Sequence, residues 1–249
     1  MPRLSAIIIV KNEAANIAEC LDSVAFADER IVVDSGSEDD TVAIAAAKGA
    51  QVSFHAFEGF GQQFNHALSL ASGEWIFSID ADERVSAGLA AELQQAMREG
   101  KADGYEMPRL SRFCGRVMRH SGWYPDYVLR LWRRGRARWT EDIVHPRPIC
   151  DGLVAKFVTP LDHFPVLRIE DALSRMDRYS TASAKMIVAA GRRPSFTTGI
   201  THGLYAFFKA YVLRAGFLDG REGFLLAVAI AEGSYYRYMK AWLRGRGYG

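Results

Sequence analysis

Six of the seven residues from Leu4 to Val10 are apolar, and several are β-branched. An extended chain patterned this way has no face to offer water, so it must be covered on both sides, as strands of parallel sheets are. Parallel neighbours need crossover helices, and the following sequence supplies them. Ile17, Leu21 and Val24 recur at helical spacing before the polar Asp28-Glu29. Ile31-Val32-Val33 is a second strand. It is closed by the turn cluster Asp34-Ser35-Gly36-Ser37, which also offers an N-cap to a helix from Val42 to Lys48, with Gly49 past its end. Gln51 to Phe54 is a third strand, followed by a helix from Gly61 to Ala71. Glu74 to Ile79 is a fourth, and Leu89, Leu93 and Met97 mark a helix with Ser86 as cap and Gly100 as stop. This alternation predicts an α/β fold: a Rossmann-like, mostly parallel sheet flanked by helices.

After Gly100 the pattern loosens. Gly104 to Pro108 and Tyr127 to Trp132 are candidate strands of a mixed sheet edge, separated by an arginine-bearing loop. From Ile169 onward no strand is expected, and Ala172 to Ala190 and Gly203 to Trp242 read as helices. The expected division is therefore residues 1–165 as the α/β domain and 166–249 as a helical C-terminal extension. No internal repeat is evident. Lys and Arg number 31 against 29 for Asp and Glu, a balance that argues against a general nucleic-acid binder relying on phosphate neutralisation. Cys20, Cys114 and Cys150 are odd in number and widely spaced, which suits a reducing cytosol and suggests neither a disulfide framework nor a zinc site. The short first apolar run is expected to be a buried strand and not a signal segment. Lys209, Arg214, Asp219 and Glu232 interrupt the most apolar region, so no membrane-spanning helix is expected.

Ligands of open α/β sheets gather beyond the carboxyl ends of the strands. Three such ends are rich in polar groups: Lys11-Asn12-Glu13, Asp34-Ser35-Gly36-Ser37 and Asp80-Ala81-Asp82-Glu83. Asp80 and Asp82 are two apart, so in an extended segment their carboxylates share one side and can converge on a cation. A few hard oxygen ligands, completed by phosphate oxygens, describe Mg²⁺ or Mn²⁺ held jointly by protein and substrate. The P-loop pattern and the glycine-rich dinucleotide fingerprint are both absent.

The runs Ile8-Ile9-Val10-Lys11-Asn12-Glu13, Val32-Val33-Asp34-Ser35-Gly36-Ser37-Glu38-Asp39 and Ile79-Asp80-Ala81-Asp82-Glu83, in that order, resemble the family 2 glycosyltransferases of GT-A fold. Within that family the chain is most similar to enzymes that add glucose to the inner core of bacterial lipopolysaccharide. Gly59 to Asn65, Ser121 to Tyr127 and Gly216 to Gly220 extend the likeness over nearly the whole chain. The resemblance implies a metal-dependent, inverting transfer of a hexose, with UDP-glucose as donor and an anionic inner-core glycolipid as acceptor. It places Lys11, Asn12, Glu13, Asp34, Ser35, Gly36, Gln62 and Asn65 around the nucleotide. It puts Asp80 near ribose and metal, and Asp82 on the metal bridging the diphosphate.

An inverting displacement of a diphosphate needs one base, to take the proton of the incoming hydroxyl. The candidates are Asp142, Asp126 and Glu141, with Asp142 favoured. Pro146 stands where the resembled subgroup has an acidic residue after the histidine of Val144-His145. Arg109, Arg112 and Arg116, with Trp123 and Tyr124, are the expected acceptor contacts, because guanidinium forks hold phosphate and carboxylate groups. The C-terminal segment mixes aromatic, apolar and basic residues, which suits attachment to an anionic membrane surface at the cytoplasmic face of the inner membrane. Packing on the sheet or a homo-oligomer contact is the alternative for those faces. A second class of function, a noncatalytic nucleotide-sugar- or membrane-binding module, would need the same donor residues without the base.

Overall fold

A computed structural model describes residues 2–140, 147–166 and 168–248. Its first half follows the alternation. The elements are β1 (Leu4–Val10), α1 (Ile17–Ser23), β2 (Glu29–Asp34), α2 (Thr41–Ala47), β3 (Gln51–Phe54), α3 (Phe60–Leu70) and β4 (Trp75–Ser78), then β5 (Glu83–Arg84) and α4 (Ala87–Glu99). β3, β2, β1 and β4 are hydrogen-bonded side by side and parallel, with β1 at the centre of the four. Ala6, Ile7 and Ile8 of β1 have no exposed surface, the burial that its pattern demands. Side chains alternate between two cores: Ala6, Ile8 and Val10 join Leu21, Phe77 and Leu93 on one side, and Ile7 joins Ile31, Ala67 and Trp132 on the other.

β6 (Gly104–Phe113), β7 (Arg116–Val117), β8 (Asp126–Arg133), β9 (Ala137–Trp139), β10 (Pro148–Cys150), β11 (Val154–Lys156) and β12 (Leu161–Val166) complete the strands. The sheet order is β3-β2-β1-β4-β8-β6-β12-β5. From β8 onward it becomes mixed, because β8 runs antiparallel to both β4 and β6. The fold class is the α/β sheet with flanking helices and a helical C-terminal part that the patterning predicts. Strands β9 to β11, of three residues each, are too short for their alternation to be legible, and the half-buried residues of β12 give it no clear one.

The C-terminal helices are α5 (Ile169–Ala189), α6 (Phe196–Phe208) and α7 (Gly220–Arg244). The sequence reads Gly203 to Trp242 as one helix, and the structure breaks it. A π-helical turn at Lys209–Leu213 and a 3₁₀ turn at Gly216–Asp219 separate α6 from α7, with Ala215 and Gly220 at φ +53° and +70°. Left-handed backbone cannot continue a right-handed helix.

Two compact units emerge, residues 1–109 with 126–163 and residues 110–125 with 164–249. The loop and strand ends at 110–125, which the sequence assigns to the α/β part, thus group with the C-terminal helices. The second unit has its own small core of Phe113, Met118, Val166, Ala172 and Leu226.

The turn before β4 ties the first unit together. Ser5, wholly buried, donates its hydroxyl to Glu29 at 2.5 Å and accepts the Gly73 N–H at 2.8 Å; Glu29 also accepts the Ser72 N–H at 2.9 Å. Burial pushes the Glu29 carboxyl up, but the Ser5 and Ser72 hydrogen bonds outweigh it and hold it below the ordinary range. A Cβ on Gly73 would stand 2.7 Å from the Ser5 nitrogen and 2.9 Å from the Arg3 oxygen, both main-chain atoms that cannot step aside. Gly73→Ala is therefore expected to cost about 1–3 kcal/mol of stability, read as a lower urea midpoint with an unchanged m-value; an unchanged midpoint would show that β1 has room there.

Candidate functional site

The first strand end turns sharply. Asn12 sits at φ +56°, its N–H donating to the Ser37 hydroxyl at 2.8 Å while its side-chain oxygen accepts the Glu38 N–H at 2.8 Å. This reciprocal pair locks the loop after β1 to the loop after β2, and leaves Lys11 exposed. Glu13 donates its N–H to Thr41 and accepts from the Asn16 amide at 2.8 Å.

Asp34 is 4% exposed and closes its own turn, accepting from the N–H groups of Gly36 and Ser37 and from the Ser37 hydroxyl at 2.5 Å. Ser35 donates both its N–H and its hydroxyl to the Val10 carbonyl at 3.1 Å. Gly36, at φ +93°, supplies the left-handed residue the turn needs. The cluster does not cap the following helix as the sequence suggests: α2 starts at Thr41 with Asp40 at its N-cap, and no side chain caps it. Asp34 spends its carboxylate on the turn because Gly36 lets those donors fold back onto it.

Of the two α3 residues expected near the nucleotide, Gln62 is exposed, whereas Asn65 is committed elsewhere. Its amide accepts the Trp139 N–H at 3.0 Å and donates to the Trp139 carbonyl at 3.2 Å, mimicking a strand partner for β9. Phe64 stacks on the Trp139 ring at 3.8 Å. Buried Gln63, which the sequence did not single out, bonds both the His55 carbonyl and its ring nitrogen.

The third strand end departs most from expectation. The segment is not extended: β4 ends at Ser78, and the chain turns from Asp80 to Glu83, whose N–H donates to the Asp80 carbonyl at 3.0 Å. Glu83 has no exposed surface and its carboxylate accepts the Asp80 N–H at 3.0 Å. The guanidinium of Arg130, 4% exposed, bonds Glu83 at 2.6 Å and also pairs with the Asp80 carboxylate. Arg109 lies 3.7 Å from Glu83 and holds Asp126 at 2.5 Å. Asp80 and Asp82 consequently have different partners, since Asp82 faces His163 at 3.6 Å. His163 is placed there by strand pairing, opposite Glu83 where β12 runs antiparallel to β5. Nothing in the spacing of Leu161 to Val166 marks that histidine; only the tertiary register brings it to the carboxylate.

The electrostatics of the triad follow from burial. Burial pushes the Glu83 carboxyl up and Arg130 pulls it back, with Asp80 adding to the rise. The same burial works against the Arg130 cation, but Asp80 and Glu83 overcome it and push Arg130 up. One buried cation thus pairs with two carboxylates, and burial makes the Glu83 carboxyl harder to ionise than a free one. Cys20 beneath the turn donates its thiol to the Asp80 carbonyl at 3.4 Å, and burial pushes that thiol up, so it remains protonated.

The Asp82 carboxylate is the kind of hard oxygen ligand Mn²⁺ and Mg²⁺ take, and the His163 imidazole 3.6 Å away adds a nitrogen donor that suits the softer Mn²⁺ better than Mg²⁺. Among the described residues no group of three or more His, Cys, Asp or Glu is placed to hold a metal ion by itself. Asp142 and Glu141, the expected base and its neighbour, lie outside the described residues, as do His145 and Pro146. Asp126 is half-exposed and ion-paired to Arg109. The expected acceptor residues divide between the units, Arg109 in the first, and Arg112, Arg116, Trp123 and Tyr124 in the second. Arg112 lies over the Phe164 ring at 5.4 Å, Arg116 is 3.7 Å from Glu222, Trp123 packs edge-on to Phe113, and the Tyr124 ring carries Arg119 at 6.0 Å.

Removing the shared cation should expose how much the turn depends on it. Arg130→Met is expected to cost about 3–5 kcal/mol, because it leaves buried carboxylate charge unpaired, whereas Glu83→Gln costs much less. The deficit of Arg130→Met should shrink as pH falls. Without the cation the Glu83 pKa stays above its unfolded value, so its contribution is fully present below the unfolded pKa and is lost as pH rises through the folded one. Urea midpoints at pH 8 and pH 5 check this, and a deficit that grows in acid would contradict it.

Residues 5–153 match the family model described as Glycosyl transferase family 2, which is more than half of the chain. An uncharacterized glycosyltransferase of Rickettsia felis is 31% identical, over 96% of this chain and 89% of that protein. The lipopolysaccharide core biosynthesis glycosyltransferase LpsC of Rhizobium meliloti is 30% identical, over 96% of this chain and 90% of that one. Among solved structures, glucosyl-3-phosphoglycerate synthase of Mycobacterium tuberculosis, in complex with Mn²⁺, uridine diphosphate and glucosyl-3-phosphoglycerate, aligns at 28% identity. It covers 45% of this chain and 44% of that chain, with a TM-score of 0.39. The parallel strand ends that carry the three polar loops fall within the matched span, and the chain belongs to glycosyl transferase family 2.

Proposed function

We propose that this glycosyltransferase transfers glucose, with inversion, from UDP-glucose to an anionic glycolipid of the lipopolysaccharide inner core, using a divalent metal. The observation that carries the reading is the clustering, within one unit, of three polar loops after β1, β2 and β4 with His163 beside Asp82. The similarity to LpsC supports an acceptor in the lipopolysaccharide core.

Under this reading the loops after β1 and β2 bind the nucleotide. Lys11 is exposed to meet its phosphates or base, and Asp34, Ser35 and Gly36 form a rigid wall because their hydrogen bonds are already made. Asp82 and His163 are the residues that would hold Mg²⁺ or Mn²⁺, which stabilises the charge developing on the departing diphosphate. Asp80 is a positioning residue: its pairing with Arg130 fixes the turn from which Asp82 projects. The protein must also remove the proton of the acceptor hydroxyl on the face opposite the leaving group. Asp126 is ill suited to that task, since Arg109 already occupies its carboxylate. Asp142 is the base on this proposal, with Glu141 beside it. Arg109, Arg112 and Arg116 with Trp123 and Tyr124 contact the acceptor.

Titration of UDP-glucose with and without Mn²⁺ tests the donor half. Asp82→Asn and His163→Ala should each weaken metal-assisted binding by at least the roughly 10–100-fold typical of disturbing a metal's outer shell. Unchanged affinity with unchanged metal dependence would sink the assignment. Asp142→Asn should lower kcat by about 10²–10⁴ with donor binding intact, whereas Asp126→Asn should not. If the native chain binds UDP but shows neither transfer nor donor hydrolysis with any acceptor, a noncatalytic binding module becomes the better reading.

No described helix is long and apolar enough to cross a membrane. Leu204, Phe208, Leu213, Phe217, Leu218 and Phe224 of the C-terminal unit are large, apolar and exposed. They support peripheral attachment to an anionic leaflet at the cytoplasmic face of the inner membrane. Flotation with phosphatidylglycerol vesicles should recover the protein, and Phe217→Ser with Leu218→Ser should release it. Recovery entirely in the unbound fraction would remove this part.

A further inference from the structure

The C-terminal unit carries two open clefts, of about 450 and 310 Å³, whose walls share Trp123, Ile230, Ser234 and Arg237. The larger is cationic: Lys209, Arg214 and Arg237 line it, and no Asp or Glu does among the described residues. None of these three side chains has a carboxylate partner among the described residues. Two polar atoms in its wall, the Ser121 hydroxyl oxygen and Arg237 Nε, are buried without a hydrogen-bond partner. Lys209 and Arg214 are exposed, so the cost falls on the two buried atoms, which forgo hydrogen bonds unless a ligand supplies them, while the three cations give the wall a positive lining that suits an anion.

The backbone is shaped for this arrangement. Ser121 and Gly122 adopt φ +58° and +81°, and the Ser121 N–H donates to the Arg214 carbonyl at 2.9 Å. A Cβ on Gly122 would overlap the Arg214 guanidinium, so the absent side chain is what admits that arginine. The smaller cavity has an apolar side of Phe113, Val166, Leu226 and Ile230, with Trp123 edge-on to Phe113 at 5.9 Å between ring centres, and a polar side that includes Arg175, Ser180 and Ser183. A cleft with a cationic lining therefore adjoins a mainly apolar one, each of a size that takes small ligands.

We propose that the two cavities form one binding site for a phosphate-bearing amphiphile, its head held by Lys209, Arg214 and Arg237 and its chain along Phe113, Leu226 and Ile230. The site shares Trp123 with the proposed acceptor contacts, lies wholly in the C-terminal unit, and needs no transfer step to be filled, so it stands or falls separately from the donor site.

Calorimetric titration of the full chain with dihexanoyl phosphatidic acid, below its micelle concentration, tests the proposal. Dihexanoyl phosphatidylcholine and inorganic phosphate are the comparison arms. The phosphatidic acid should bind at least about tenfold tighter than either, and more weakly as salt is added. Lys209→Gln, at an exposed position, and Arg214→Gln should each weaken it about tenfold. Ala229→Phe, which fills the apolar cavity, should weaken the lipid while leaving inorganic phosphate unchanged, and UDP binding should be the same in all three variants. Equal binding of the neutral lipid, inorganic phosphate as tight as the phosphatidic acid, or no effect of Lys209→Gln would overturn the proposal.

Discussion

The turn after β4 depends on one buried cation. Arg130, on β8, pairs with both Asp80 and Glu83, and its charge offsets the burial that works against the wholly buried Glu83 carboxylate. Main-chain hydrogen bonds close the Asp80–Glu83 turn, and Arg130 holds its two carboxylates inward while Asp82 faces His163. Because Arg130 sits on a strand antiparallel to β4, and His163 on one antiparallel to β5, the mixed edge of the sheet is what organises the acidic loop. The parallel half supplies the loops, and the antiparallel half supplies the groups that discipline them.

The same logic separates residues that hold the site from residues available to a ligand. Asn65 serves the main chain of β9, and Asp34 serves its own turn. Such fully engaged groups make rigid walls, which is how a donor pocket is preorganised without cost at the moment of binding. Exposed Lys11 and Gln62 are placed to make new contacts. Glu83, adjacent to the acidic pair in sequence, belongs with the supports, since a wholly buried carboxylate shared with Arg130 offers nothing to solvent. The C-terminal unit shows the opposite condition: the Ser121 hydroxyl and Arg237 Nε are buried without a hydrogen-bond partner in a cleft also lined by exposed Lys209 and Arg214.

The first four strands and their helices were legible because burial on both faces forces a continuous apolar run and helices announce themselves at 3.6-residue spacing. Ser86 and Gly100 bound α4 as read, since a hydroxyl cap and a left-handed stop are local chemistry. The polar loops were legible for the related reason that the carboxyl ends of parallel strands must be solvated. Local rules also misled. Two carboxylates two residues apart share a side only if the chain is extended, and the hydrogen bonds of the Asp80–Glu83 turn bend it. Gly203 to Trp242 is apolar enough to read as one helix, yet Ala215 and Gly220 turn left-handed between two helices that pack on each other.

The sequence by itself determined the α/β class, the family and the three loops that carry polar chemistry, because each is written in contiguous residues whose spacing has direct physical meaning. Only the tertiary structure decided that Arg130 is a buried support of the acidic turn, that His163 stands beside Asp82, and that residues 110–125 join the C-terminal helices. Those outcomes rest on contacts between residues far apart along the chain. Their partners are chosen by strand register and burial, and neither leaves a periodic trace in the residues that meet.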